Sequence, residues 1–582
     1  MRLIDTNEFL RREWVMRAGM QVERRTKVFD FCDDEVTEYA ILSHRWIGDT
    51  EVDYEEMINL AKMDKQERDD IRGRAGYQKI LDVCRQAQKD GHTWVWVDTC
   101  CIDKRSSAEL SEAINSMYRW YGNAKECYAY LHDVDSSSFP TEKDDEKYPK
   151  SNGWSEWFSR GWTLQEMIAP SDVQFFNENW QPIGNKKILA ETLAKITQVP
   201  KHILTDGLLD RNRPCVAQIM SWAANRTTTR VEDKAYSLMG LLDVKMPMLY
   251  GEGKKAFHRL QLEIIRSSND QSIFAWGWNS PKVEIGSILA DDPSFFQDCS
   301  DIVVIGNDQF IAKAMSTFPK LPSMDANQFG VFANTNCGIQ IWMLLCAYRD
   351  SKTVFRACLP CFGSRGYVSI DLVLWNSNYY RYSNVRKAPD QSCAEFRQVY
   401  LRHQCDTSNY AVTFDIDVSG ITENGFTCSN DVPVEHVGNS FTLTNANPFC
   451  VKTYSEQQGN SCFKVVFGQC LGLDWVHLDY DFSLGTTSRI YSEPSITQGP
   501  DWAPAIFEAP LCDSFRTSGL LWIRHFRLPG SSWVVRAYRI MQERRKFIVR
   551  IEVFRDPQFQ SGSNEWKVYA VEVSDFIVHM DY

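Results

Sequence analysis

Four polar or aromatic residues directly follow an apolar segment, where a buried strand would deliver them to the edge of a sheet. Ser43, His44, Arg45 and Trp46 come after the run Tyr39 to Leu42. An arginine at such a position can pair with two oxygens of a phosphate, and an indole can stack on a base. The same residues also fit a surface ion pair and a packed indole. A lone imidazole such as His44 is more often structural than ligating.

Two aspartates lie at the end of a second apolar run. Asp98 and Asp103 follow Thr93 to Val97 and flank Cys100 and Cys101. Their carboxylates could contact a ligand at the sheet edge, but aspartate is also common in turns and helix caps. Adjacent cysteines point to opposite sides of an extended chain, and this pair has no second Cys or His pair at zinc spacing. We therefore expect no metal site here.

Glu166 is the strongest candidate for a catalytic carboxylate. Trp162, Leu164 and Met167 surround it in the sequence, and removal from water raises the pKa of a carboxyl group. A carboxylate can stabilise the positive charge that develops on a sugar when its glycosidic bond breaks. Trp162 is a candidate wall of the same crevice. The alternative is a solvated glutamate on a helix surface.

The elements that must position these residues belong to a parallel sheet. Apolar runs at Tyr39 to Leu42, Thr93 to Val97, Glu126 to Leu131 and Asp172 to Phe176 alternate with helical patterns, which indicates strand, helix, strand units. Between the second and third runs, Ser106 and Glu109 have the spacing of a capping box at a helix start. The carboxyl ends of parallel strands form the usual ligand crevice, so the candidate residues should meet there.

The change of pattern along the chain predicts three regions. Residues 1–185 form an α/β domain with a parallel sheet and flanking helices, residues 186–280 form a helical extension, and residues 281–582 form a β-rich region of unknown function. In the last region, short apolar runs broken by Asn, Gly, Ser or Asp indicate antiparallel strands in a sandwich or barrel.

Composition excludes several classes of protein. Lys and Arg total 64 against 76 Asp and Glu, which gives a net charge of −12, so we expect neither nucleic acid nor an anionic membrane surface as the main partner. No apolar stretch reaches the roughly 18 residues of a membrane span. Charged residues near the start interrupt any secretory signal, and the 18 cysteines are scattered rather than regularly spaced. We therefore expect a cytoplasmic protein.

Three segments resemble, in order, the sequence blocks of the fungal heterokaryon incompatibility (HET) family. They are Tyr39 to Trp46, Trp96 to Lys104 and Ser159 to Glu166. Arg230 to Tyr236 and Tyr250 to Phe257 are similar to the stretch that commonly follows such domains. The resemblance covers residues 1–280 and implies an effector of the cell death that follows fusion of genetically unlike fungal cells.

The HET domain in turn resembles the TIR fold, whose members include signalling adaptors and enzymes that cleave NAD at the nicotinamide–ribose bond. This resemblance implies that Ser43 and Arg45 lie at the mouth of the crevice and that Glu166 is the matching carboxylate. It also implies that NAD is a substrate and that no resident cofactor is needed.

Three functions remain open from the sequence. The first is an NAD glycohydrolase that kills the cell by depleting NAD. The second is a non-catalytic module that associates with copies of itself or with other incompatibility proteins and uses the β-rich region for recognition. The third is a β-rich ligand-recognition protein whose N-terminal half only transmits the signal. Glu166 in a polar crevice favours the first, whereas the lack of a complete, spaced catalytic set favours the second.

Overall fold

A computed structural model describes residues 1–20, 27–209, 213–278, 286–348, 354–375, 378–382, 389–403, 411–432, 438–444, 449–457, 459, 461–470, 473–479, 523–528, 532–543 and 546–555. The strands of the first half are β1 Arg2–Asp5, β2 Phe29–Phe31, β3 Ala40–His44, β4 Trp94–Trp96, β5 Glu126–Tyr130, β6 Gln174–Phe176 and β7 Pro182–Asn185. The helices of this half are α1 Thr6–Arg17, α2 Tyr54–Asn59, α3 Lys65–Gly73, α4 Ala75–Lys89, α5 Ser107–Asn123, α6 Thr163–Ile168, α7 Ala190–Thr197, α8 Lys201–Asp206, α9 Val216–Ala223, α10 Asp233–Tyr236 and α11 Lys255–Ser267.

The second half is dominated by strands. Its elements are β8 Val303–Val304, α12 Asn307–Thr317, α13 Ala326–Phe329, β9 Phe332–Thr335, β10 Gly338–Tyr348, β11 Val354–Gly363, β12 Gly366–Trp375, β13 Asn378–Tyr382, β14 Pro389–Leu401, β15 Val412–Asp417, α14 Ser419–Thr422, β16 Phe426–Val432, β17 Ser440–Leu443, β18 Phe449–Glu456, β19 Cys462–Cys470, β20 Leu473–Asp479, β21 Ile523–Arg527, β22 Trp533–Glu543 and β23 Lys546–Arg555.

The first sheet has the order β2-β1-β4-β3-β5-β6-β7. Its four central strands, β4, β3, β5 and β6, are parallel. Strands β1 and β7 run antiparallel to them, and β2 pairs antiparallel with β1. These are the four predicted strands, each within two residues of the predicted bounds, so the predicted parallel sheet with flanking helices is confirmed. The chain moves from β3 to one neighbour, β4, and then crosses to the other, β5. This reversal makes the gap between the carboxyl ends of β3 and β5 the topological switch point where ligands bind in such sheets.

Helix α5 follows β4 and begins as the sequence predicts, with one difference. The Ser106 hydroxyl accepts a hydrogen bond from the Glu109 backbone N–H at 3.3 Å. Glu109 does not return the bond to Ser106, because its carboxylate accepts from the Asp103 N–H at 2.9 Å and from Arg2 at 2.6 Å. The Glu109 carboxylate, which was predicted to complete the capping box, therefore links β1 to the loop that precedes α5. The buried face of α5 carries Ala113, Ile114, Met117, Trp120 and Tyr121.

One hydrophobic core extends from the first sheet through the helices α7 to α11 into the sheet of β8 to β14. Arg381 on β13 donates to the carbonyl oxygens of Phe274 at 2.7 Å and Trp276 at 2.6 Å. Gln261 on α11 exchanges two hydrogen bonds, of 2.7 and 3.0 Å, with the backbone of Ala290. Residues on both sides of the predicted boundary share this core, and the division of the chain at residue 280 stays a prediction.

The β-rich region contains three sheets in its described part. The sheet β8-β11-β12-β13-β14-β10-β9 is antiparallel apart from the β13–β14 pair. The sheets β17-β15-β23-β22-β21 and β16-β18-β19-β20 enclose a separate core, in which Phe414 and Phe467 lie 5.3 Å apart between ring centroids. The predicted β-rich region is thus confirmed where the structure describes it. Residues 480–522 and 556–582 of that prediction lie outside the described residues.

None of the helices in the described ranges combines the length and the apolar character that crossing a bilayer requires.

Candidate functional site

Glu166 lies on the short helix α6, beside the end of β3. Ser43 Oγ donates a hydrogen bond to Glu166 Oε2 at 2.5 Å, and Trp157 Nε1 donates to Ser43 Oγ at 2.9 Å. The Tyr121 hydroxyl of α5 donates to the carbonyl oxygen of Leu42 at 2.9 Å and also contacts the Glu166 carboxyl group. We call Ser43, Tyr121, Trp157 and Glu166 the inner cluster. It occupies the switch point of the sheet.

Burial controls the charge of Glu166, which is only 5% exposed. Loss of water raises the pKa of Glu166 to about 8, against the opposing hydrogen bond from Ser43. The negative charge of Asp98 adds to the increase in this pKa, and the positive charge of Arg160 opposes it. The carboxyl group is therefore mostly protonated at neutral pH, and its ionised fraction increases as the pH approaches 8.

A second group of side chains lies next to the inner cluster and reaches solvent. Trp46 Nε1 donates to Asp98 Oδ2 at 2.8 Å, so two predicted site residues meet here. Lys104 Nζ lies 3.7 Å from the centroid of the Trp46 ring, and the Arg160 guanidinium carbon lies 5.6 Å from it. We call Trp46, Asp98, Lys104 and Arg160 the outer cluster. Trp46 is 37% exposed, so part of its ring is accessible to a ligand.

Three predicted site residues make their contacts elsewhere. Arg45 forms an ion pair with Glu156. The Asp103 carboxylate accepts from the Arg105 guanidinium at 2.9 and 3.0 Å, which holds the loop before α5. Trp162 immediately precedes α6 and packs against the hydrophobic core. Ligand contact by these residues stays a prediction.

His44 ends β3 within a buried set of charged side chains. Its Nε2 atom lies 3.7 Å from Glu51 Oε2 and 3.7 Å from Asp98 Oδ1, and Lys79 Nζ donates to Glu51 Oε1 at 2.5 Å. Burial, followed by the charge of Lys79, lowers the pKa of His44, so the imidazole is neutral at pH 7. Within the described ranges, His, Cys, Asp and Glu form no group of three or more that could hold a metal ion.

Two buried cations fix α6, the helix that carries Glu166. Arg226 Nη1 donates to the Arg160 carbonyl oxygen at 2.8 Å and to Thr163 Oγ1 at 3.0 Å, at the start of the helix. Lys186 Nζ donates to the Met167 carbonyl oxygen at 3.1 Å, at its end. Burial lowers the pKa of Arg226 to about 9 and that of Lys186 to about 8. Residues that come later in the chain therefore hold the helix that carries Glu166 in place.

Sequence reasoning missed several members of the two clusters. Lys104 and Arg160 stand inside the family-like blocks, and their position next to candidate residues was the available signal. Tyr121 lies on the buried face of α5, and nothing in the sequence spacing indicates that its hydroxyl reaches the sheet edge. Trp157 had no signal beyond its closeness to Trp162.

Comparison with known proteins identifies part of the chain. Residues 39–153 match the family model for heterokaryon incompatibility protein (HET). This segment of the chain is similar to a HET domain. The vegetative incompatibility protein HET-E-1 of Podospora anserina is 43% identical over 241 residues, a segment that covers 40% of this chain and 17% of that protein. Residues 255–286 match a domain of unknown function, DUF8212. No solved structure gives a significant match.

The site lies across the end of the matched HET segment. Ser43, Trp46 and Asp98 fall inside the matched residues, whereas Arg160 and Glu166 follow its last residue, 153. The chain spans 17% of the length of the similar incompatibility protein, so the activity of that whole protein does not transfer to this chain by identity alone.

Proposed function

We propose that this protein is a heterokaryon incompatibility effector that causes cell death by cleaving NAD in the cytoplasm. The HET domain and the similarity to a vegetative incompatibility protein support the biological role. The proposed cleavage of NAD is supported by the hydrogen bond between Ser43 and Glu166 at the switch point of the sheet. A carboxyl group of raised pKa thus lies where ligands bind in such sheets.

In the proposed reaction, the bond between ribose C1′ and the nicotinamide nitrogen breaks. The electron pair of this bond stays with the nitrogen and neutralises the pyridinium ring, while the ribose takes up the positive charge as an oxocarbenium ion. Ionised Glu166 stabilises this charge and holds the ribose hydroxyls. Water then adds to C1′ and loses a proton, which gives ADP-ribose, nicotinamide and H⁺.

Access to Glu166 requires movement of side chains, since the carboxyl group is buried in the described conformation. We propose that the outer cluster opens when the substrate binds. Lys104 and Arg160 contact the Trp46 ring through cation–π interactions, which contribute roughly 0.5 to 1 kcal/mol each at exposed sites. Their displacement therefore costs little compared with the binding energy of a dinucleotide.

The test is release of nicotinamide from NAD by the purified full-length protein and by Glu166→Gln. Loss of one electrostatic contact of this kind typically lowers the rate about a hundredfold to a thousandfold. Glu112→Gln is the matched control, because Glu112 is an exposed glutamate on α5. Release by folded Glu166→Gln at the wild-type rate would remove the role of Glu166, and the absence of nicotinamide release by the wild-type protein would remove the enzymatic proposal.

A self-associating interaction module is the second candidate, and an exposed apolar patch favours it. Val303 on the edge strand β8 pairs with Phe362 on β11, and the Phe362 ring lies 5.6 Å from that of Tyr367. Val303 is 58% exposed and Phe362 is 47% exposed, and patches of this kind mark protein contacts. Light scattering of Phe362→Lys would test it, with loss of self-association as the expected result.

A further inference from the structure

Two cations share one aromatic ring at the mouth of the site. Lys104 Nζ lies 3.7 Å and the Arg160 guanidinium carbon 5.6 Å from the centroid of Trp46. The ring itself is fixed, because its N–H group donates to Asp98 Oδ2 at 2.8 Å. The outer cluster therefore presents positive charge around an indole of fixed orientation.

Neither of these two cations forms an ion pair within the described residues, in contrast to two neighbouring arginines. Arg45 is ion-paired with Glu156, and Arg105 with Asp103. Within the part of the chain that the structure describes, the side chains of Lys104 and Arg160 make no ion pair and no hydrogen bond, and both lie against the Trp46 ring. Unpaired cations beside a buried carboxyl group, in a chain of net charge −12, indicate a site for an anion.

We propose that Lys104 and Arg160 bind the diphosphate of a nucleotide whose base stacks on Trp46. Arginine matches phosphate oxygens with its planar fork, and lysine supplies a mobile point charge. An indole face left by a displaced cation is a stacking surface for a base. The choice of a nucleotide rests on the proposed function, and this assignment differs from the sequence prediction, which gave the phosphate to Arg45.

The geometry also explains how such binding would serve the chemistry at Glu166. The positive charge of Arg160 opposes the increase in the pKa of Glu166, and Arg160 lies just before α6, the helix that carries Glu166. A diphosphate bound to Arg160 places the attached ribose next to Glu166. The outer cluster is then the anchor of the substrate, and the inner cluster is the place of reaction.

The experiment is titration calorimetry of the full-length protein with ADP, which contains no nicotinamide and cannot be cleaved by the proposed reaction. ADP should bind, and adenosine should bind at least about tenfold more weakly. Arg160→Gln and Lys104→Gln should each weaken ADP about tenfold to hundredfold, as expected for loss of a charge-assisted contact. Lys104 is exposed, and the melting temperatures of both variants check that they are folded.

The matched control is Lys187→Gln, because Lys187 is also an exposed lysine. Its neighbour Lys186 bonds to the backbone of Val173, just before β6 begins, so Lys187 lies at the amino ends of the parallel strands, opposite the site. ADP affinity that is unchanged in Arg160→Gln and Lys104→Gln overturns the proposal. Pyrophosphate binding as tight as that of ADP also overturns it, since the base would then contribute nothing.

The proposed function and this inference can fail separately. Nicotinamide release that needs Glu166 but is insensitive to Arg160→Gln and Lys104→Gln leaves the reaction standing and removes the anchor. ADP binding that depends on both cations, in a protein that releases no nicotinamide, keeps the anchor and removes the reaction.

Discussion

Glu166 occupies a site that favours its neutral form, which makes the stability of the protein depend on pH. Its pKa is about 8 in the folded protein against an ordinary value of 4.5. Folding therefore favours the protonated carboxyl group, and the associated stability is present below pH 4.5 and is lost as the pH rises through 8. The loss is on the order of 3 to 5 kcal/mol.

Glu166→Gln cannot ionise and should escape this loss. We expect the melting temperatures of Glu166→Gln and wild type to be similar at pH 5, and the variant to be the more stable protein at pH 9. Thermal unfolding across this range measures the difference. A constant gap between the two proteins from pH 5 to pH 9 would contradict the raised pKa.

The same titration should appear in catalysis, because the proposed reaction uses ionised Glu166. We expect kcat/KM for nicotinamide release to rise about tenfold or more between pH 6.5 and pH 8.5, with a midpoint near the Glu166 pKa of about 8. The profile of kcat/KM reports the free enzyme, so substrate binding does not shift it. A flat profile over this range would mean that Glu166 does not have to ionise.

At the level of single residues, the sequence indicated chemical types better than contacts. Ser43 and Glu166 were both predicted at the crevice, but their hydrogen bond joins residues 123 positions apart, which spacing cannot reveal. The pairing of Arg45 with Glu156 is equally non-local. This ion pair is the reason that the proposed phosphate site uses Arg160, whereas the sequence predicted Arg45.

Two backbone hydrogen bonds hold the segment that contains Arg160 against a loop distant in the sequence. Gly161 N–H donates to the Thr227 carbonyl oxygen at 2.9 Å, and the Thr227 N–H donates to the Ser159 carbonyl oxygen at 2.7 Å. A Cβ atom on Gly161 would lie 2.6 Å from Thr228 Cγ2 and 3.3 Å from Ser237 Oγ. The close approach of these two segments requires glycine here.

We therefore expect Gly161→Ala to destabilise the protein by about 1 to 3 kcal/mol through overpacking. Thr228→Ser removes the methyl group that the new Cβ would meet. The double variant Gly161→Ala with Thr228→Ser should recover most of the loss in a denaturant titration. Equal stabilities of the single and double variants would show that Thr228 does not limit the approach.

Elements with a long periodic pattern were predictable, and short ones were not. Helix α5 has 17 residues, and its apolar stripe repeats often enough to give its buried face. Helix α6 has six residues, all of them buried, so no amphipathic pattern could show how it sits. Its position depends on Arg226 and Lys186, which come later in the chain.

At the scale of the whole molecule, the shared core predicts where the chain can be cut. Ile273, Phe274 and Trp276 are buried in a core that includes residues of β10 to β14, and burial of each large apolar side chain contributes about 1.5 to 3 kcal/mol. A fragment of residues 1–280 loses this cover, whereas a fragment of residues 1–403 keeps it. The sandwich of β15 to β23 has its own core.

We expect residues 1–403 to unfold cooperatively, near the temperature at which the same residues unfold in the full chain. Residues 1–280 should melt at a lower temperature or aggregate. Calorimetry of both fragments checks this. Identical melting transitions for the two fragments would mean that the β8 to β14 sheet contributes nothing to the stability of residues 1–280. The sequence could not predict the shared core. A change from helical to strand patterns shows where the type of element changes, but it does not show whether the two regions pack against each other.

The central claim, that Glu166 supplies the activity that kills the cell, is tested most directly by expressing wild type and Glu166→Gln at matched levels in a fungal cell and measuring intracellular NAD together with viability. Glu112→Gln and the melting temperatures of the purified proteins are the controls. The proposed function predicts that wild type and Glu112→Gln deplete NAD and kill, and that Glu166→Gln does neither. Killing by well-folded Glu166→Gln with NAD levels unchanged would contradict it and leave the interaction module as the explanation.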